Sequence, residues 1–210
     1  LVKQTRLKSP DIGARKLATT PTQFRDTQNP NHFIAIPEVS SERRRYIPIG
    51  FLDNQVIASN KLQMIPDATI WHFGILTSEM HMTWVRYVCG RMKSDYSYSN
   101  SVVYNNFPWP ENPSEKQIKV VEAAAQNVLD LRKQFPDNSL ADLYDTNTMP
   151  PALVKAHQAL DKAVDLCYRS QSFSNETKRI EFLFELNDKY TAGMFVKEKN
   201  TKKEKQKTHL

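Results

Sequence analysis

Glycine and cysteine are scarce in this chain, and the scarcity of each one argues against certain classes of protein function. The 210 residues include five glycines and two cysteines. So few glycines leave no glycine-rich loop of the kind that brings backbone N–H groups onto a nucleotide phosphate. Cys89 and Cys167 each fall inside a predicted helix. We interpret them as apolar core residues of a protein in a reducing cytoplasm rather than as a disulfide.

Enzyme motifs are missing as well. The sequence has no G-x-S-x-G, no H-E-x-x-H and no paired C-x-x-C. Met80, His81 and Met82 combine soft metal ligands, but consecutive helical residues point about 100° apart and cannot close one site. Residues 105–108 (NNFP) lack the proline directly after asparagine that amino-methyltransferases carry. We therefore expect no catalytic residue, no metal ion and no other cofactor in this chain.

Long apolar runs are also absent. None approaches the roughly 18 residues of a transmembrane helix and no signal peptide is visible, so we expect no membrane contact. The chain begins with Leu1 rather than methionine, and we expect it to be a piece of a longer polypeptide. Its length suits one large or two small domains, and its hydrophobic share of 40% is typical of globular proteins.

Positive charge is present in excess and is unevenly placed. The net charge is +6, with nine Lys or Arg against four acids in residues 1–50 and six Lys against two Glu in the last fourteen residues. The middle is therefore slightly acidic. Such a distribution is typical of a face that binds a polyanion, and equally of basic ends that only keep a protein soluble.

The sequence predicts an α+β fold in which a small, mostly antiparallel sheet with one packed helix is followed by a small helical bundle. Short apolar segments bounded by turn residues predict strands at residues 32–37, 46–52, 56–59, 62–65 and 69–73. A helix should run from Ser78, its N-cap, to Gly90, which we expect to end it in the left-handed conformation. Ser114 and Gln117 form a capping box that opens the bundle. Further helices are predicted after Pro151 and after Ser174, with one helical turn near residues 139–144.

We divide the chain into residues 1–110, residues 111–196 and a basic, low-complexity tail at 197–210, which is either solvated or paired with a polyanion. Residues 93–101 form a polar segment at the end of the first part. If the segment is extended, four side chains share one face, namely Lys93, Asp95, Ser97 and Ser99, while Tyr96 and Tyr98 pack behind. That face offers a cation, an acceptor and two hydroxyls to base edges, although an ordinary polar strand edge would look the same.

Two neighbouring features support the polar segment. A proline-aromatic corner, which cannot continue a helix or a central strand, should hold it in place; it comprises Tyr104, Asn106, Phe107, Pro108 and Trp109. A run of arginines beside hydroxyls suits DNA phosphates, because the guanidinium fork offers paired donors. The predicted phosphate contacts are Arg15, Lys16, Ser41, Arg43, Arg44 and Arg45. The alternative is a solvated loop in which one arginine pairs with Glu42.

An ordered series of segments resembles one protein family. The segments are residues 40–53 (SSERRRYIPIGFLD), 72–100 (HFGILTSEMHMTWVRYVCGRMKSDYSYSN), 103–110 (VYNNFPWP), 139–145 (SLADLYD) and 149–165 (MPPALVKAHQALDKAVD). They resemble the C-terminal part of MmeI-like restriction-modification enzymes. Those enzymes are single polypeptides with a nuclease, a helical spacer, an S-adenosylmethionine-dependent adenine-N6 methyltransferase, a target recognition domain and a C-terminal helical domain.

The resemblance implies that the chain reads double-stranded DNA for catalytic domains that lie upstream of Leu1. Those domains of the parent would use S-adenosylmethionine and a divalent metal. Carried over by position, the base-reading candidates are Gln63, Lys93, Asp95, Ser97 and Ser99, and the target sequence is not implied. The rival interpretation is a helical protein-interaction scaffold that does not touch DNA.

Overall fold

The computed structural model describes residues 1–22 and 30–207, and of residues 193–207 only the backbone. It has the α+β class that the sequence predicts. The chain opens with helices α1 (Val2–Leu7) and α2 (Ile12–Lys16) and a 3₁₀ turn (Leu17–Thr19). The sequence offers Ile12, Leu17 and Phe24 as the residues that would anchor this stretch to a sheet. Ile12 is exposed, Leu17 is half-buried beside the buried Ala18, and Phe24 lies outside the described residues.

Two small antiparallel sheets share one nearly continuous strand. Strands β1 (His32–Pro37), β3 (Gly50–Asp53) and β4 (Leu62–Pro66) form the first sheet in the order β3-β1-β4, and β2 (Val39–Ser40) continues β1 into the second. Glu38 lies at the junction of the sheets. Its N–H donates to the Lys61 carbonyl (2.9 Å), and its carbonyl accepts from the Tyr98 N–H (2.7 Å). The β1 and β4 predictions are confirmed.

The strand predicted at residues 46–52 is only partly right, because pairing begins at Gly50. Pro48 has no N–H to donate and the Ile49 N–H bonds the Ile47 carbonyl (2.9 Å), so this stretch is irregular. Its apolar side chains are nevertheless buried. The strand predicted at residues 56–59 is wrong. These residues follow a turn in which the Val56 N–H donates to the Asp53 carbonyl (3.1 Å), and Val56 and Ile57 are exposed.

The strand predicted at residues 69–73 is instead the start of helix α3 (Ile70–Leu76). The Thr69 N–H donates to His72 Nδ1 (3.1 Å) and the Thr69 carbonyl accepts from the Phe73 N–H (3.1 Å), which together begin a helical turn. The sequence also predicts a loop at Gly74, directly after that strand, and this prediction is wrong. Gly74 lies inside α3, where the absence of a side chain allows close packing against a later helix.

Helix α4 (Glu79–Val88) begins as predicted, because Ser78 Oγ accepts from the His81 N–H (3.4 Å). Its predicted ending is wrong. Cys89 is extended, and no glycine in the described part of the chain has a positive φ. The chain passes directly into strand β5 (Gly90–Met92), which pairs with β6 (Asp95–Ser97) in the sheet order β2-β6-β5. A π-helical turn (Asn100–Tyr104) follows.

The second half is helical, as predicted. Its helices are α5 (Glu115–Arg132), α6 (Leu140–Leu143), α7 (Pro151–Tyr168) and α8 (Glu176–Lys207). The Ser114 capping box is present, but α8 is capped by Asn175 rather than Ser174, because Asn175 Oδ1 accepts from the Lys178 N–H (2.9 Å). Helix α3 packs against α5 and α7, and α4 packs against α8, so one hydrophobic core runs through both halves. The structure describes no side chain of the basic tail predicted at residues 197–210.

Candidate nucleic-acid interface

The polar segment forms a hairpin at the protein surface. Strands β5 and β6 pair from Gly90–Ser97 to Met92–Asp95, and Lys93 and Ser94 make the turn between them. Lys93 has a left-handed backbone (φ 58°), which an extended strand does not allow. Lys93 therefore lies exposed at the hairpin tip rather than on a strand face with Asp95.

The strand itself has the predicted alternation. Tyr96 and Tyr98 are buried, with 4% and 1% of their surface exposed, whereas Asp95, Ser97 and Ser99 are half-buried and alternate with them. The carboxylate of Asp95 accepts from the backbone N–H of Glu42 at 3.4 Å. This contact joins the hairpin to the loop that carries the arginines.

Buried side chains hold the hairpin from behind. The Tyr98 hydroxyl lies 3.1 Å from His81 Nε2, and the His81 ring contacts Phe107 edge-on with ring centroids 4.6 Å apart. Full burial lowers the pKa of His81 to about 3, so this ring is neutral near pH 7. Burial also raises the pKa of the Tyr98 hydroxyl. A neutral, hydrogen-bonded pair thus fixes the second half of the segment against α4.

The proline-aromatic corner is tied to the C-terminal helices through its carbonyls. Tyr168 of α7 donates to the Pro108 carbonyl (3.0 Å), and Tyr190 of α8 donates to the Trp109 carbonyl (2.7 Å). Asn106 donates to the Ser101 carbonyl (2.7 Å), which closes the π-helical turn onto the corner. The arrangement fixes the end of the hairpin segment relative to both helices.

Gln63 of β4 lies across a cleft from the residues that follow Ser99. The cleft has a volume of about 230 Å³. Apolar atoms of the sheet form one wall, and the π-helical turn forms the other; the lining residues are Ile36, Gln63, Met64, Ile65, Pro66, Tyr98, Asn100, Tyr104 and Asn105. The structure thus brings Gln63 close to the end of the polar segment, whereas Lys93 stands at its opposite end.

The predicted phosphate contacts occupy different settings. Arg43 is exposed, Arg44 is half-buried, and Ser41 shapes their turn by accepting from the Arg44 N–H through its carbonyl (3.1 Å). Arg45 pairs with Glu79 (3.4 Å) and lies 3.9 Å from Asp161, so its guanidinium contributes to a structural network. Arg45 therefore does not form the alternative ion pair with Glu42.

The other two phosphate candidates lie on α2. The Arg15 guanidinium donates to the backbone carbonyls of Ser9 (2.7 Å) and Pro10 (2.9 Å), which holds the turn before α2. Lys16 is exposed at the end of the same helix. Both cations are therefore on the surface.

A charged junction between the two halves was not predicted from sequence; it comprises Arg45, Glu79, Arg86, Asp161, Asp165, Glu176 and Arg179. Tyr46 donates to Asp161 (2.6 Å), and Arg179 donates to Asp165 (2.8 Å). Burial raises the pKa of Asp161 to about 6, against the lowering effect of its Tyr46 and Glu79 hydrogen bonds. Tyr46 and Asp161 are 115 residues apart, and no local pattern signals such a pair.

A buried cation, Arg132, joins the sheet to the helices. Its guanidinium donates to the Ile49 carbonyl (2.7 Å) and to the Tyr144 hydroxyl, which in turn lies 2.7 Å from His157 Nε2. Within the described residues no group of three His, Cys, Asp or Glu side chains is placed to hold a metal ion. Among the same residues, no helix combines the length and the apolar character needed to cross a membrane.

Comparison with known proteins decides the family. The model of the MmeI target recognition domain matches residues 1–111, and the model of the MmeI C-terminal domain matches residues 113–195. The chain belongs to the MmeI family. All the candidate base-reading and phosphate residues lie within the match to the target recognition domain. The charged junction joins that domain to residues of the matched C-terminal domain.

Two known proteins are similar to this chain along nearly its whole length. DNA methyltransferase A of Bacillus subtilis (strain 168) is 45% identical over 190 residues, which are 90% of this chain and 21% of that protein. The solved structure of the Type IIL restriction-modification enzyme MmeI in complex with DNA is 49% identical, with a TM-score of 0.85, over 91% of this chain and 26% of that one. The chain thus spans about a fifth to a quarter of the length of these relatives.

Proposed function

We propose that this chain is the sequence-specific double-stranded DNA recognition module of a restriction-modification DNA adenine-N6 methyltransferase. It would position DNA for methylation and cleavage by domains upstream of it. The observation that carries this proposal is the similarity to MmeI in complex with DNA, at 49% identity over 91% of this chain. The match to the MmeI target recognition domain covers residues 1–111, which include the hairpin, the arginine loop and the corner.

The hairpin supplies the proposed base contacts. Asp95 can accept from cytosine N4, Ser97 and Ser99 can donate or accept, and Lys93 at the tip can donate to guanine O6 and N7. Asp95 and Ser97 are about 7 Å apart along an extended strand, which is close to two base-pair steps. Gln63, across the cleft, would read a further position with its amide. The buried tyrosines keep these side chains facing outward.

Phosphate contacts would orient the hairpin on the duplex without selecting a sequence. We propose this role for the exposed Arg43 and Lys16, with Arg44, Ser41 and Arg15 beside them. The Arg45 side chain is 47% exposed and can reach a phosphate only while it also pairs with Glu79. Loss of Arg45 would therefore disturb the fold together with any DNA contact, and Arg43 is the better test of phosphate binding.

Methylation and cleavage would belong to the upstream part of the parent. We propose that S-adenosylmethionine and a divalent metal bind there, that residues 1–110 read the DNA, and that residues 111–196 brace the reading domain. Within the described residues, no metal-binding group competes with this division. A restriction-modification role places the protein beside the DNA in the cytoplasm of a bacterium.

A scaffold that docks protein partners through its helices and ignores DNA is the rival function. Salt dependence separates the two, because phosphate contacts release counterions and the affinity for DNA then falls steeply as salt rises. For the DNA-reading function, we expect the binding constant of the chain for duplex DNA to fall linearly with salt on logarithmic axes. No measurable binding to duplex DNA at low salt would favour the scaffold.

Sequencing of methylated sites in the full-length parent tests the proposed function directly. We expect the combined change Asp95→Lys and Ser97→Asp to alter which sequence is modified while the protein stays folded, because a wrong base contact costs about 1–3 kcal/mol. The matched control is Asp188→Lys, which repeats the charge change of Asp95→Lys on the exposed face of α8. A folded double variant that modifies the same sites at the same rates would refute the role of these residues.

A further inference from the structure

The cleft between β4 and the π-helical turn contains more amide groups than the base-reading set includes. Gln63 was a candidate by resemblance, but Asn100 and Asn105 line the same cleft. Both asparagines are exposed. No side-chain hydrogen bond to either of them is found in the part of the chain that the structure describes. Their donors and acceptors are therefore available to a ligand.

The neighbouring Asn106 shows what a structural asparagine looks like in this turn. Its side-chain amide donates to the carbonyls of Ser101 (2.7 Å) and Val102 (3.0 Å), and its own carbonyl accepts from Asn187 of α8 (2.8 Å). Asn105 makes its turn hydrogen bond with the backbone alone, so that its side chain is free for another use. Two consecutive asparagines thus divide into one that holds the corner and one that faces the cleft.

The π-helical turn explains why Asn100 and Asn105 face the same cleft. The Asn105 N–H donates to the Asn100 carbonyl at 2.8 Å, which is the i to i+5 hydrogen bond of a π-helix. This bond places the two residues one turn apart, one above the other. In a regular α-helix the same hydrogen bond would join residues four apart, and the pair would point in different directions. Single π-helical turns are frequent at functional sites.

The lining of the cleft matches the chemistry of one base pair. An asparagine or glutamine amide pairs with adenine through two hydrogen bonds, because its NH₂ group donates to N7 and its oxygen accepts from the N6 amino group; apolar atoms contact the C5-methyl group of thymine. Met64 and Ile65, both partly exposed, supply apolar atoms on the wall opposite the asparagines. The cleft volume of about 230 Å³ is several times the roughly 30 Å³ that one water molecule occupies in the liquid. The cleft therefore has room for the edge of a base.

We propose that Asn100 and Asn105, together with Gln63, read one A·T base pair of the target through the major groove. The inference rests on the proposed function and extends it to two residues outside the 93–99 segment. Asn100 and Asn105 supply the amide fork for adenine, and the sheet wall takes the thymine methyl group. The hairpin would then read one side of the site and the cleft the adjoining side.

Selection of bound duplexes from a random library by the full-length parent tests this inference. For Asn100→Ala combined with Asn105→Ala, we expect the preference at one A·T position to fall roughly 5- to 150-fold while the other positions keep theirs. For Asn105→Asp, which replaces a donor by an acceptor, we expect the preference at that position to move towards C·G. Asn127→Ala, on the exposed face of α5 and away from the cleft lining, is the matched control.

Each other outcome has a distinct meaning. If the unchanged parent selects no sequence, the proposed function fails and this inference fails with it. If Asp95 and Ser97 changes alter the selected sequence but the asparagine changes leave every position intact, only this inference is overturned. It is also overturned if the double variant loses preference at all positions together with a lowered unfolding midpoint, as we expect of Asn106→Ala.

Discussion

Replacing Gly74 by alanine tests how tightly α3 is packed between the sheet and the C-terminal helices. A Cβ atom on Gly74 would lie 2.8 Å from Val121 Cγ1, 3.2 Å from Ala125 Cβ and 3.6 Å from Leu160 Cδ1. Val121 is fully buried and β-branched, and such side chains keep one rotamer in a helix. The Ala125 Cβ is fixed to its own helix. Neither neighbour can turn away, so α3 and α5 must separate.

The magnitude follows from two opposing effects. Overpacking a core costs about 1–3 kcal/mol, while alanine is about 1 kcal/mol better than glycine inside a helix. We therefore expect Gly74→Ala to lower the free energy of unfolding by up to about 2 kcal/mol. For a protein of this size that corresponds to a fall in Tm of up to roughly 8 °C. Urea unfolding followed by circular dichroism measures the change.

A double-mutant cycle separates overpacking from any general sensitivity of the helix. Val121→Ala removes the atom that a new Cβ would meet, so in that background Gly74→Ala should be neutral or stabilising. Gly90→Ala is the matched control, since its Cβ would lie 3.6 Å from the Ser97 carbonyl and its φ is not left-handed; we expect a change within about 0.5 kcal/mol. Equal destabilisation by Gly74→Ala in both backgrounds would refute the packing argument.

Three further predictions concern pH, salt and chemistry. Burial lowers the pKa of His81 and His157 to about 3 and raises that of Asp161 to about 6. Below pH 6.5 the unfolded chain therefore takes up two histidine protons, while the folded chain takes up one proton on Asp161. The free energy of unfolding, measured by urea unfolding, should fall by about 2 kcal/mol from pH 7 to pH 5. A free energy of unfolding that is unchanged or higher at pH 5 contradicts this. Arg43→Ala should weaken binding to all duplexes alike and reduce the salt slope by about 1, whereas a loss confined to one sequence contradicts a phosphate contact. The chain alone should transfer no label from S-adenosylmethionine to DNA and should make no cut, and labelled adenine above a no-protein control would overturn this.

Local signals were enough to predict the elements that have strong punctuation. Strand β1 runs from His32 to Pro37 as predicted, because a turn signal precedes it and proline ends it. The capping box at Ser114 likewise marks the start of α5. The alternation after Lys93 predicted the burial of Tyr96 and Tyr98, since successive side chains of a strand face opposite ways.

Prediction failed where a distant contact decides the local structure. Residues 69–73 are aromatic and short, which favours a strand, but the Thr69–His72 capping box begins α3 there, and Gly74 packs against α5. Gly90 looked like a helix end, yet it pairs with Ser97, and the pairing requires an extended backbone. The charged junction depends on contacts such as Tyr46 to Asp161, which no window of neighbouring residues contains.

The same long-range contacts explain how the hairpin can vary while its position stays fixed. The outward residues Asp95 and Ser97 contribute little to the core, and the frame behind them is held by Tyr98 on His81 and by the corner carbonyls on α7 and α8. A substitution on the outward face therefore changes what the hairpin can bind without moving it. A substitution in the frame does the opposite, because it moves together all the side chains that we propose to read DNA. Changes of sequence preference should thus map to single base pairs for the outward residues and to the whole site for the frame.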